Sequence, residues 1–241
     1  MKRKRSIIAD IILVICIIVF FLTLSQLISI FNNYKSERIV YDNIRDKVTS
    51  SEPEENNGSE LVDIYKGVDL ELAIDINRET MCWIYIPDTN IDYPIVKADD
   101  NKKYLDTMFE GSEGMCGTLF IDHRIADMSA NVIVYGHNMK DGSMFHDLRN
   151  YENYDWRQRH KSVYISFERY NPKEYKVVAV MEIESTSILY EKILENDNSA
   201  IDTIKKMDSR HEVEQGKSIF CLSTCKGTGN RRILVVIQSI E

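Results

Sequence analysis

Two short passages hold the residues best suited to chemistry. The first is Ser218-Ile219-Phe220-Cys221-Leu222-Ser223-Thr224-Cys225-Lys226-Gly227-Thr228-Gly229-Asn230-Arg231-Arg232. A strand ending in Cys225, a glycine-containing loop and a second strand that opens on arginine place a thiol at the edge of a cleft, with a guanidinium within reach. The thiolate is the reactive form of cysteine, and a neighbouring cation favours it, so the pattern is that of a sulfur nucleophile. The second passage is Asn131-Val132-Ile133-Val134-Tyr135-Gly136-His137-Asn138-Met139. Here an apolar strand stops at Gly-His, and the imidazole at its end can act as acid or base near neutral pH. Gly227-Thr228-Gly229 does not read as a phosphate cradle, since neither a third glycine nor a following helix completes the motif. His123, His146, His160 and His211 lie in polar or helical surroundings and read as surface or capping residues.

Positioning these side chains requires a sheet. Eight short runs rich in Val, Ile, Tyr and Phe read as strands: 82–86, 93–97, 118–121, 132–135, 162–167, 175–184, 218–224 and 233–240. Helical pieces interrupt them at 102–109, 143–150 and 189–207, the last with a break at the Asn-Asp-Asn of 196–198. A further helix is expected within 61–77. The fold class is therefore mainly β with peripheral helices (α+β). Neighbours on a strand face opposite ways, so only one of Arg231 and Arg232 can point at Cys225. We take Arg232, which directly precedes the apolar run.

The start of the chain has another composition. Lys2, Arg3, Lys4 and Arg5 form a basic tip over 1–6, and 7–31 is almost purely apolar, with Asp10 its one charge. Roughly 20 such residues in a helix cross a bilayer core of about 30 Å. No small-x-small cleavage site follows, so the segment reads as an uncleaved signal anchor rather than a removed signal peptide. Basic residues stay on the cytoplasmic side, which delivers everything after about residue 32 outside the cell. Residues 32–60, with the low-complexity patch at 50–59, read as an extracellular linker or stalk with a helical turn at 36–48. Residues 61–241 form the folded domain. The 30 Lys and Arg against 38 Asp and Glu give a formal net charge of −8, which offers no broad basic surface to a nucleic acid.

Outside the membrane span there are four cysteines, Cys82, Cys116, Cys221 and Cys225, without the spacing of a zinc site. Cys221 and Cys225 share one strand four residues apart and are too distant for easy bridging. At least one free thiol is expected in a compartment where disulfides persist.

Taken in order, these pieces resemble the sortases, and class B among them. The residues that carry the resemblance are Leu222-Ser223-Thr224-Cys225, Tyr135-Gly136-His137-Asn138 and an arginine opening the last strand. Weaker echoes are Trp83-Ile84, Asp92-Tyr93-Pro94-Ile95-Val96, Tyr104-Leu105, Gly117-Thr118-Leu119-Phe120-Ile121-Asp122 and Met144-Phe145 with Leu148. The 189–207 helix looks like the class B insertion between the sixth and seventh strands. One departure is Cys221, where the family commonly has Thr.

The resemblance implies a closed eight-stranded sortase-like β-barrel behind one N-terminal transmembrane helix. It implies a transpeptidase that attaches secreted proteins to Gram-positive peptidoglycan. Cys225 attacks the Thr carbonyl of an Asn-Pro-x-Thr-like sorting signal, His137 moves the protons, and Arg232 holds the oxyanion. The acceptor is the amine of a lipid-linked peptidoglycan precursor, with no metal or cofactor required. Tyr135 and Ser223, each two residues before its catalytic partner on a strand, are expected to flank the substrate groove, and Asn90 and Ile91 to line it. Two other readings compete. A papain-like cysteine peptidase places cysteine before histidine, the reverse of the order here, whereas a cysteine peptidase that only hydrolyses, with water resolving the thioester, stays open. A membrane-tethered binding module without catalysis leaves Cys225 and His137 simply packed.

Overall fold

The structure is a computed structural model that describes residues 7–49, 67–169 and 171–240. Two compact units divide it, Met1–Val40 and Tyr41–Glu241. The described part of the first is a single length of helix, belonging to α1 (Ile7–Thr49). Its large apolar side chains from Ile11 to Phe31 stand open, Phe31 by 64%. The helix is long and apolar enough to cross a membrane, and burial inside the protein does not account for its composition. The basic tip lies outside the described residues.

In the second unit, eight strands close into a barrel: β1 (Thr80–Tyr85), β2 (Asp92–Val96), β3 (Leu119–Ile121), β4 (Val132–Tyr135), β5 (Ser162–Ser166), β6 (Pro172–Glu184), β7 (Phe220–Cys225) and β8 (Arg231–Ser239). Their order around the barrel is β1-β2-β3-β4-β7-β8-β6-β5. The β2–β3 and β4–β7 pairs are parallel and the others antiparallel. Closure leaves no free sheet edge, and it encloses Ile84, Ile95, Leu119, Ile121 and Val134, all fully buried. All eight expected strands are present, with ends displaced by a few residues.

The helices differ more from expectation. Residues 32–49 are helix rather than loose stalk, and Tyr41, Ile44 and Val48 are buried, so the folded unit begins well before residue 61. The low-complexity patch at 50–59 lies outside the described residues, as does the start of the expected 61–77 helix. Of that helix, α2 (Leu70–Ile76) is present, capped by the Asp69 carboxylate, which accepts from the amides of Glu71 and Leu72. The 102–109 piece is only a 3-10 turn at Lys103–Leu105, because Thr107 turns into a bridge with Glu113. The 143–150 piece is a 3-10 helix at His146–Glu152. The sequence also hides α3 (Tyr154–Arg159), capped by the Asn153 side chain. The 189–207 stretch divides into α4 (Ile188–Leu194) and α5 (Ser199–Met207), with Asn196 at φ 53 in the break. Leu189, Ile193, Ile201 and Ile204 press this pair onto Cys221, Leu234 and Val236 of the barrel wall. Fully burying each such aliphatic side chain stabilises by roughly 1.5–3 kcal/mol, which fixes the insertion on the sheet.

Candidate active site

The last residue of β7 and the second residue of β8 are direct antiparallel partners, Cys225 opposite Arg232. Directly opposed side chains stand on one face of the sheet, and Arg232 Nη1 donates to Cys225 Sγ at 3.0 Å. Arg231 faces the other way and pairs with Glu182. Strand alternation thus separates the two arginines, and Arg232 is the one beside the sulfur.

On the opposite side of β7, β4 runs parallel, with Tyr135 level with Ser223. The match continues past the strand's end. The Gly136 amide donates to Ser223 O at 3.2 Å, Thr224 Oγ1 donates to Gly136 O at 2.8 Å, and Asn138 Nδ2 donates to Cys225 O at 2.8 Å. These bonds lay residues 136–138 along the end of β7, so His137 comes level with Cys225. Gly136 permits close packing, since a Cβ would sit 2.3 Å from Leu119 Cδ2 and 2.6 Å from Phe145 Cδ2.

His137 is half-buried, and its Nε2 lies 2.6 Å from the Leu105 carbonyl. A carbonyl can only accept, so the neutral ring carries its proton on Nε2 and leaves Nδ1 basic. Cys225 is half-buried as well, unlike Cys82 and Cys221, whose thiols are pushed up by complete burial. Among the described residues no disulfide joins Cys16, Cys82, Cys221 and Cys225. Among the described residues no group of three or more His, Cys, Asp and Glu side chains is arranged to hold a metal.

Cys225, His137 and Arg232 open on one cavity of about 500 Å³. Tyr135 and Ser223 line it too, on the two strands that carry His137 and Cys225. Asn90 and Ile91 do not. Ile91 is fully buried in the barrel, while Asn90 is tied to the Asp147 carboxylate and the Gly142 carbonyl. The wall they were expected to form is supplied by Asn101 and Leu105.

The far wall is charged and aromatic. Tyr190 of α4 meets Ser223 Oγ at 2.7 Å, and burial pushes its phenol up to about 12. The Tyr135 hydroxyl donates to Asp122 Oδ2 at 3.0 Å. Burial alone would raise the fully buried Asp122 carboxyl, but hydrogen bonds from the Arg124 side chain, the Arg124 amide and Tyr135 hold it down at about 2. Arg124 in turn reaches Glu191 Oε1 at 3.1 Å, linking the loop after β3 to α4. Sequence reasoning missed Arg124 and Glu191 as cavity groups and Asp122 as the buried carboxylate that Arg124 and Tyr135 share. Asp122 ends one of the family-like echoes, which was the only signal available.

Comparison with known proteins agrees with this geometry. A family model described as the sortase domain matches residues 84–239. Sortase B of Staphylococcus aureus is 26% identical over the whole of this chain and 99% of its own length. Sortase B of Listeria monocytogenes is 38% identical over 117 residues, which span 48% of this chain and 46% of that protein, so the chain aligns with about half of this relative. The solved structure of the S. aureus sortase B–substrate complex superimposes with a TM-score of 0.72 at 24% identity, covering 87% of this chain and 98% of that one. A barrel of this strand order, a cysteine–arginine rung at its rim and a family match over most of the folded unit lead to one assignment: the chain belongs to the sortase family of cysteine transpeptidases, with class B sortases as its relatives.

Proposed function

We propose that this protein joins secreted proteins bearing an Asn-Pro-x-Thr-like sorting signal to an amine of a lipid-linked peptidoglycan precursor. The observation that carries the reading is the 3.0 Å contact between Arg232 Nη1 and Cys225 Sγ in a cavity shared with His137. The Cys225 thiolate adds to the Thr carbonyl carbon, forming a C–S bond and placing the carbonyl electron pair on oxygen. Arg232 offers its N–H groups to that oxyanion, a contribution often worth about 2.7–4 kcal/mol per donor. Protonated His137 gives its proton to the departing amine, the C–N bond breaks, and a thioester remains. The incoming amine then adds to the thioester and gives its proton to His137, and sulfur leaves as thiolate. The apolar length of α1 tethers the enzyme to the membrane, with residues 2–5 on the cytoplasmic side and the barrel outside.

The test is incubation of the full chain in detergent with Asn-Pro-x-Thr-x and Leu-Pro-x-Thr-x peptides, with and without an amine acceptor, read by mass spectrometry. Ligated product with the Asn-Pro series is the expected result. Release of acid alone in the presence of amine would reduce the enzyme to a peptidase, and no cleavage with an unlabelled Cys225 would leave a binding module.

A further inference from the structure

Ten residues beyond Phe31 on the same helix, Tyr41 is 4% exposed and its hydroxyl is fully engaged. It donates to the Gly117 carbonyl at 2.6 Å, lies 3.1 Å from Thr118 Oγ1 and accepts from the Phe109 amide at 3.3 Å. These three partners close the base of the excursion between β2 and β3. At Gly117 the returning backbone presses on the outgoing one, since a Cβ there would meet the carbonyl oxygens of Tyr104 at 2.4 Å and Leu105 at 2.7 Å. Gly117 also has φ +55, and the Thr118 amide donates to Tyr104 O at 3.0 Å. The next carbonyl along, that of Leu105, is the one that receives His137 Nε2 at 2.6 Å.

A continuous line of short contacts therefore runs from Tyr41 through Gly117 and Thr118 to Leu105 and the imidazole. We propose that Tyr41 is a positioning residue for catalysis: by clasping the 103–118 excursion it holds the Leu105 carbonyl on His137 and fixes which ring nitrogen handles the proton. The inference rests on the proposed role of His137. It makes the helix that carries the apolar span part of the proton-transfer apparatus. The excursion has a second, independent anchor, because the Tyr104 hydroxyl accepts from Asn77 Nδ2 at 2.9 Å and donates to Glu79 at 2.6 Å. Losing the Tyr41 hydroxyl thus slackens the loop without releasing it, and the edge-to-face contact of the Tyr41 and Tyr93 rings at 5.3 Å does not need the hydroxyl.

The test is Tyr41→Phe in the full chain in detergent, with ¹⁵N-histidine spectra and steady-state ligation of an Asn-Pro-x-Thr-x peptide. The expected result is a fall in kcat of about tenfold with KM for the peptide unchanged, because misplacement of a proton-transfer group slows chemistry and not binding. The His137 nitrogen signals should lose their single-tautomer pattern. Thr118→Val, which removes the neighbouring hydroxyl, serves as a second variant and should change kcat in the same direction. Ile44→Val loosens the same stretch of helix without touching these hydrogen bonds and should leave the kcat and the His137 signals of the parent. Parental kcat and His137 signals in both hydroxyl variants, or an equal loss in Ile44→Val, would overturn the proposal. Turnover surviving in Cys225→Ala would instead overturn the reading of the site itself, which separates the two failures.

Discussion

The two ends of β7 carry the same functional group in opposite circumstances. Cys221 and Cys225 lie four residues apart on one strand and so on one face of the sheet. Cys221 is covered by α4 and α5, among Leu189, Ile201 and Ile204, and is fully buried. Cys225 lies beyond that cover, where the cavity opens and Arg232 supplies a cation 3.0 Å away. Sulfur chemistry in this protein is decided by what lies over the strand and not by the strand itself. The insertion that silences one thiol also builds, through Tyr190 and Glu191, the wall of the cavity that exposes the other.

The largest effects should come from exchanging the two cysteines' fates. Cys225→Ala should lower ligation by a thousandfold or more, roughly to background, whereas Cys221→Ala should keep turnover within about twofold and cost about 1 kcal/mol of stability in chemical denaturation. Comparable losses of turnover in both variants would erase the distinction. The two arginines sharpen it next. Arg232→Ala should reduce kcat/KM by about 100- to 1000-fold and Arg232→Lys should restore little, while Arg231→Ala, which breaks only a partly exposed ion pair with Glu182, should change it by no more than about twofold. In a Cys16→Ala background, a methylthiosulfonate should label Cys225 in the native protein and reach Cys82 and Cys221 only on unfolding, read by intact mass. Equal labelling rates for Cys221 and Cys225 would mean that α4 and α5 do not seal the strand.

The smallest effect concerns the buried carboxylate that Tyr135 and Arg124 share. The Asp122 carboxyl is held at about 2, below its ordinary value of 3.8, so its ionised form favours the folded state. That contribution is complete above about pH 4 and is lost as pH falls toward 2. Asp122→Asn should flatten the dependence of stability on pH across this window, measured by denaturant titration at several pH values.

Why some features were legible and others not follows from the kind of interaction involved. The strands are continuous or alternating runs of β-branched and aromatic residues, as in Ile133-Val134-Tyr135 or Leu234-Val235-Val236, and burial on the barrel's faces demands such runs. Cys225 and His137 were visible because each ends such a run. α3 was invisible because Tyr154-Asp155-Trp156-Arg157-Gln158-Arg159 has no apolar stripe. It is held by Arg157, 3% exposed, which pairs with Asp208 at 2.7 Å and donates to Val178 O, and such partners are distant in sequence. Asn90 and Ile91 stand outside the cavity lining because Asn90 is tied to Asp147 and Gly142 and Ile91 is fully buried, and nearness to the second strand reveals neither. Leu105 acts on His137 through its main-chain carbonyl, and no side-chain identity advertises that.

The parallel pairing of β4 with β7 joins residues 132–135 to residues 220–223, and the rung that holds the sulfur needs β8 as well. During synthesis His137 is made 88 residues before Cys225 and 95 before Arg232. Closing so long a loop is slow relative to local helix formation. The reactive centre is therefore complete only once β8 has paired with β7.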